Sequence, residues 1–353
     1  MSIAIILGTR PEIIKMSPII RECGNGYDFF IIHSGQHYSY NMDHIFFEQL
    51  ELSRPKFNLG IGSGSHGEQT GKMVIRFDKL LVQEKPSLVL VQGDTNTALA
   101  GALSASKLHI KVGHIEAGMR SFDRQMPEEI NRILIDHISD LLFAPTNNAK
   151  KNLISEGLPE DKIFLCGNTI IEAVFQNLEI AKKSFNPNLY PLSYFLATIH
   201  RQENTDVPER LDNILKGFGL IYKEFKIPII FPIHPRTRKN LKLFGLELPE
   251  GVKLIEPLGY LEFLQLENHA KLILTDSGGV QEEACILGVP CVTLRDTTEW
   301  TETIEAKANI LAGYQPDSIL RCSKSMLEQK IWENPFIDNE PSRNILRIVS
   351  DKL

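Results

Sequence analysis

Short, continuous apolar runs separated by glycine-bearing turns and amphipathic stretches set the pattern of this chain. Ile3–Leu7 is the first such run; it ends at Gly8-Thr9-Arg10-Pro11, and a helical stretch begins at Glu12. Phe29–His33, Leu88–Gln92, Lys111–Ile115 and Leu141–Ala144 repeat the pattern. It resumes with Phe195–Ile199, Ile227–Ile233, Val252–Ile255, Leu272–Thr275 and Cys291–Leu294. Strands that are apolar throughout and alternate with helices predict parallel sheets covered on both faces. The Pro/Asn stretch Phe185–Pro191 divides the two series and reads as a linker. The expected class is therefore α/β, with two Rossmann-like domains facing across a cleft. They span residues 1–184 and 185–338, and a C-terminal helix in 339–353 has the N-terminal domain as one surface to pack back on.

Composition narrows the class of protein. The chain has 353 residues, 42% hydrophobic and 23% charged, as expected for about two folded domains and not for a disordered or coiled-coil chain. No apolar run approaches the roughly 18 residues of a membrane helix, so no membrane partner is expected. A net charge of −6 argues against a dedicated nucleic-acid binder. Five cysteines without a CxxC pair, and a start without a signal-like segment, point to a reducing cytoplasm.

In open α/β sheets, ligands bind beyond the carboxyl ends of the strands, and there the chain concentrates its polar chemistry. One glycine string misleads. Gly60–Gly67 contains a GxGxxG-like pattern, but no apolar strand precedes it and no acid follows at the expected spacing. It reads as a mobile glycine loop, and no nicotinamide or other cofactor is expected.

After the first strand, Thr9 and Glu12 have capping-box spacing. Arg10 opposes the helix dipole and, with Lys15, would draw a phosphate or diphosphate. Asp94 and Glu116 end two further strands. Asp94 is either the cap of the next helix or a cleft residue, whereas Glu116 is a poor cap and reads as functional. His114 reads as a hydrogen-bonded core histidine; as half of a metal pair with Glu116 it lacks a third ligand, and no metal is expected. Glu128 and Arg132, four apart on a helix, read as a surface ion pair or as site residues, with Ile130, Ile133 and Leu134 as the apolar face. In the second half, His200 and His234 follow strands. Thr275–Ala284 reads as a strand end, a Ser277 cap, two glycines for close approach and a helix N-terminus suited to phosphate, with acids one turn in for ribose hydroxyls.

The blocks GTRPEIIK (8–15), QGDTNT (92–97), HIEAGMRS (114–121), PEEINR (127–132), HRQEN (200–204), DSGGVQEEA (276–284) and LRDTTE (294–299) together resemble the non-hydrolysing UDP-N-acetylglucosamine 2-epimerases, over roughly residues 3–310. The resemblance implies the two-domain GT-B fold, a homodimer and UDP-N-acetylglucosamine and UDP as ligands. It implies that Arg10 and Lys15 hold substrate and diphosphate. Asp94, Glu116 and Glu128 match essential carboxylates, Arg132 a substrate-site arginine and His200 the histidine at the departing UDP. Ser277, Gly278 and Gly279 would bind the diphosphate, Glu283 the ribose, and Leu258 and Phe263 would line the uracil. Two departures stand out: Trp300-Thr301 where many bacterial members read Arg-Pro, and Leu258 where a polar residue is common. Glu68 and Gln202 also stand where bacterial relatives carry arginines, which implies no requirement for their activation by a second nucleotide-sugar molecule. A hydrolysing epimerase, a GT-B glycosyltransferase and a non-catalytic nucleotide-sugar sensor remain the alternative readings.

Overall fold

The computed structural model describes residues 2–36, 40–183, 189–329, 331–336 and 340–353. The Pro/Asn stretch read as a linker lies largely outside them. The chain divides into two compact units, Met1–Gln176 with Phe336–Leu353, and Asn177–Pro335.

The first unit begins β1 (Ser2–Leu7), α1 (Arg10–Cys23), β2 (Asp28–His33), α2 (Tyr40–Gln49), β3 (Phe57–Asn58) and α3 (His66–Glu84). It continues β4 (Leu88–Gln92), α4 (Asn96–Lys107), β5 (Lys111–Ile115), α5 (Pro127–Ile138), β6 (Leu141–Ala144), α6 (Asn147–Ser155) and β7 (Ile163–Leu165). The division between units falls inside α7 (Ile170–Lys182). The second unit runs β8 (Phe195–Thr198), α8 (Gln202–Thr205), α9 (Pro208–Phe225), β9 (Ile229–Pro232), α10 (Pro235–Phe244), β10 (Val252–Ile255) and α11 (Tyr260–His269). It ends β11 (Ile273–Thr275), α12 (Gly278–Leu287), β12 (Cys291–Thr293), α13 (Thr301–Glu305), β13 (Asn309–Leu311) and α14 (Pro316–Glu328). The last helix, α15 (Pro341–Lys352), belongs to the first unit: it packs on α1, and the Ser342 amide and hydroxyl donate to Glu172 of α7 at 2.9 and 2.8 Å.

Among the described residues both sheets are wholly parallel, in the orders β3-β2-β1-β4-β5-β6-β7 and β10-β9-β8-β11-β12-β13. Strand order reverses between β1 and β4 and again between β8 and β11. Those are the two switch points, where the helices on either side diverge and leave strand ends open.

The central strands are continuous apolar runs because both faces are covered. In the first unit Ile6, Val89, Val91 and Val112 pack against Met73, Phe77 and Leu81 of α3 and the alanines of α4. Ala98, Gly101, Ala102 and Ala105 make α4 thin enough to seat directly on β1; a side chain at Gly101 would meet Ile6 at 3.1 Å. That close seating fixes the start of α4 beside the first switch point. In the second unit Phe195, Phe218 and Phe231 fill the corresponding core with Leu211, Ile214 and Ile319.

The glycine string differs from its expectation. It follows the short edge strand β3 and is tied down: Leu59, Ile61 and Gly62 donate their amides to His33, Ser34 and Gly35, and the Gln69 amide donates to the Gly62 carbonyl at 2.8 Å. The loop extends the β2–β3 pairing; its glycines serve left-handed backbone positions at Gly60 and Gly62.

Candidate active site

At the first switch point the turn after β1 is organised by Glu12. The Gly8 amide and Thr9 hydroxyl donate to its Oε2 at 3.0 and 2.8 Å, and the Thr95 hydroxyl donates to Oε1 at 2.8 Å. Only part of the expected capping box forms, since Thr9 makes no side-chain cap bond; Glu12 instead bolts the β1 turn to the β4 turn. Burial outweighs its hydrogen bonds and pushes the Glu12 carboxyl up from 4.5 to about 7. Between those values the folded chain keeps a proton that the unfolded chain has released, so stability falls as pH rises through this window. The total expected from Glu12 is about 3 kcal/mol. Urea unfolding between pH 5 and pH 8 measures it, and Glu12→Gln should flatten the slope.

The cap of α4 is Thr95, whose hydroxyl accepts from the Ala98 amide at 3.0 Å. Asp94 is therefore not the cap. Its carboxylate pairs with Arg132, while its carbonyl accepts from Asn131 at 2.8 Å. Glu116, after β5, pairs with Lys15 at 2.5 Å and accepts from the Gln92 amide. It lies against Gly93, the residue before Asp94, so both carboxylates share one strand-end neighbourhood. Glu116 has φ of 72°, an uncommon conformation for a residue with a side chain, and is held in it by amides 116 and 117 both donating to the Phe143 carbonyl. Lys15, expected at a diphosphate, is engaged with Glu116. Arg10 opens α1 with its guanidinium over the Phe46 ring.

The α5 helix corrects two expectations. Arg132 does not pair with Glu128; it pairs with Glu129 at 2.9 Å and with Asp94. Ile130 and Leu134 are 47% and 46% exposed, and the inward face is Glu129, Arg132, Ile135 and Asp136. Glu129 accepts from the Ser121 and Phe122 amides; burial raises its pKa, but these donors and Arg132 outweigh it and hold the carboxyl below the ordinary range. Glu128 is half-buried at the first turn of α5.

Below this layer His114 is fully buried. Its Nδ1 is 2.6 Å from Asp136 and its Nε2 is 2.8 Å from the Gly93 carbonyl. Both ring nitrogens are thus engaged within the core and neither is turned toward a metal. The ring ties Gly93, and with it Asp94, to α5. Asp136 also accepts from the Gly118 amide and from Arg120 at 2.7 Å. Burial pushes its pKa up, but His114 and Arg120 prevail and hold it below the usual carboxylate range.

The second switch point is built around Asp276, which sequence reasoning quoted but gave no role. It is fully buried and accepts from the His200 and Arg201 amides and from Asn204, each at 3.1 Å. His200 Nδ1 lies 3.1 Å from Asp276, while much of the ring is exposed. One nitrogen is thus held and the other points away. Ser277 stands at the cap position of α12 but makes no side-chain cap bond, contrary to expectation. A side chain at Gly278 would meet the Glu299 carboxylate at 2.4 Å and displace it. Nothing lies within 4 Å of where a side chain at Gly279 would begin, and the residue is exposed at the start of α12. Glu299, also missed by sequence reasoning, pairs with Arg295 at 2.9 Å, and Trp300 is buried beside the same turn. Glu283 lies one turn into α12, nearly buried; Leu258 and Phe263 pack on the adjoining core. At the divergent position Glu68, Lys72 pairs with the carboxylate at 2.6 Å on an exposed face of α3.

The chain carries two strand-end constellations, one of clamped carboxylates and one of a histidine beside an open helix N-terminus, and known proteins share both the sequence and the fold around them. The family described as UDP-N-acetylglucosamine 2-epimerase matches residues 22–350. The UDP-N-acetylglucosamine 2-epimerase of Methanocaldococcus jannaschii is 58% identical, over 99% of each chain. A crystal structure of the M. jannaschii enzyme in complex with UDP-GlcNAc and UDP superposes with a TM-score of 0.91, covering 99% of this chain and 100% of that one. The Neisseria meningitidis enzyme bound to UDP-GlcNAc is 34% identical, with a TM-score of 0.90 over 99% and 100% of the two chains. Two parallel α/β domains of the GT-B type are the common architecture, and the chain belongs to the UDP-N-acetylglucosamine 2-epimerase family.

Proposed function

We infer that this enzyme interconverts UDP-N-acetylglucosamine and UDP-N-acetylmannosamine by eliminating and re-adding UDP. One observation carries the reading: Asp94 and Glu116 follow adjacent strands, each clamped by its own cation, with Glu116 against the residue before Asp94. The C2 hydrogen of the sugar is not acidified by a carbonyl, so its removal must be coupled to departure of the C1 substituent. A carboxylate takes the C2 proton, the C1–O bond breaks, and its electron pair leaves on the β-phosphate as C1=C2 forms. Delivery of a proton to the opposite face of C2, with UDP oxygen rebonding C1, gives the epimer. No electrons are gained or lost, and two faces require two acid–base groups.

The residue roles follow from this reading. Asp94 and Glu116, with Glu128 as the third carboxylate, serve the proton transfers. Arg132 and Lys15 hold the first two in place, and Arg10 with Lys15 faces substrate charge. His200, anchored through Nδ1 by Asp276, stabilises the departing diphosphate together with the amides of Ser277, Gly278 and Gly279. Glu283 takes the ribose hydroxyls, and Leu258 and Phe263 line the uracil.

The exposed Ile130 and Leu134 on α5, and Ile75 and Val82 on α3, suit a homodimer interface, read by sedimentation as a dimer mass. Five free, buried cysteines accord with a reducing cytoplasm. The purified chain, given UDP-N-acetylglucosamine and no acceptor, should form UDP-N-acetylmannosamine to a constant ratio without steady release of UDP. Stoichiometric release of UDP with free N-acetylmannosamine would instead identify a hydrolysing epimerase.

A further inference from the structure

Glu283 has a second buried carboxyl against it. Glu267 sits in the last turn of α11, the helix that packs on α12, and is fully buried. Neither of its carboxyl oxygens meets a hydrogen-bond donor among the described residues. Its carboxyl faces that of Glu283, and the Tyr260 hydroxyl also faces Glu283. Two buried carboxylates in contact, with no donor between them, would hold an uncompensated charge in a dry interior. A proton on one of them turns that repulsion into a charge-assisted O–H···O⁻ bond.

Burial, and then the charge of Glu283, raises the Glu267 carboxyl well above the ordinary carboxylate range. Glu283 is the less buried of the two, 7% exposed against 0%, and has the Tyr260 hydroxyl as a further partner. The proton belongs on Glu267 and the charge on Glu283.

We propose that Glu267 is a neutral carboxylic acid that donates a hydrogen bond to Glu283 and so orients the Glu283 carboxylate for the ribose hydroxyls of the bound uridine nucleotide. Glu267 is a positioning residue, and the assignment rests on the nucleotide reading given above.

Two variants separate donor from filler. Glu267→Gln keeps a neutral donor, and Glu267→Met keeps the volume without one. In calorimetric titrations with UDP, the Gln variant should stay within about threefold of the parent and the Met variant should weaken roughly tenfold. KM should rise in step in the Met variant while kcat is retained. Infrared difference spectra at neutral pH should show a protonated-carboxyl band in the parent that Glu267→Gln removes, a readout that stands even if the Met variant fails to fold. Equal UDP affinity of the Met and Gln variants, or no lost band, overturns the proposal. Glu283→Gln tells the two failures apart. If it leaves UDP affinity intact, the ribose assignment itself falls; if it weakens UDP and Glu267→Met does not, only the positioning role falls.

Discussion

Glu116→Gln and Asp94→Asn are each expected to lower turnover by about 10²–10⁴, the size of a lost proton-transfer group, while UDP binding persists. Both replacements keep shape and hydrogen bonding but cannot accept a proton. The Lys15 and Arg132 clamps remain in place with a neutral partner, so loss of activity without loss of fold is the expected pattern. Residues of the second switch point behave differently. Replacing Ser277 or Glu283 should weaken UDP itself, because those positions are assigned to the nucleotide and not to C2. Steady-state kinetics with UDP titrations check both halves. Asp94→Asn with normal turnover at saturation and lost UDP affinity would reverse the assignment.

The second large effect lies beneath the site. Asp136→Ala is expected to destabilise the protein by about 3–5 kcal/mol, the usual consequence of removing one partner from a buried charge network. His114 and Arg120 would be left buried without the carboxylate that both of them face, and the Gly118 amide would lose its acceptor. Because Asp136 has a lowered pKa when folded, its contribution is complete above the unfolded value of 3.8 and is lost as pH falls below it. Denaturant unfolding at pH 7 and near pH 3 should therefore show a large gap between parent and variant at the higher pH and a smaller one at the lower. Turnover should fall as well, since His114 holds the Gly93 carbonyl next to Asp94.

The short, mainly apolar runs between turns were legible: β4, β5, β6 and β10 lie at the residues expected. The edge strands β3, β7 and β13 span two or three residues each, too short to carry a period. The α5 helix was misread in a more instructive way. Apolar Ile130 and Leu134 were turned inward, although apolar residues are common on protein surfaces. The true inward stripe was visible as Glu129, Arg132 and Asp136 at i, i+3 and i+7, a polar face in which Glu129 pairs with Arg132 and Asp136 meets His114 and Arg120. Asp94 and Thr95 are adjacent capping types, and only the fold decides which of them caps. Asp276 and Glu267 carried no local signal, because their partners stand elsewhere in the sequence, at 200–204 and at 283.

The central claim is that the C2 proton leaves the sugar and a solvent-derived proton replaces it on the other face. Running the reaction to equilibrium from UDP-N-acetylglucosamine in deuterated water, and reading C2 of the UDP-N-acetylmannosamine by proton NMR, tests this most directly. The account predicts full deuteration at C2 of the product, with no nicotinamide added. Product that retains its original C2 hydrogen would contradict elimination and re-addition and would point to an internal hydride transfer.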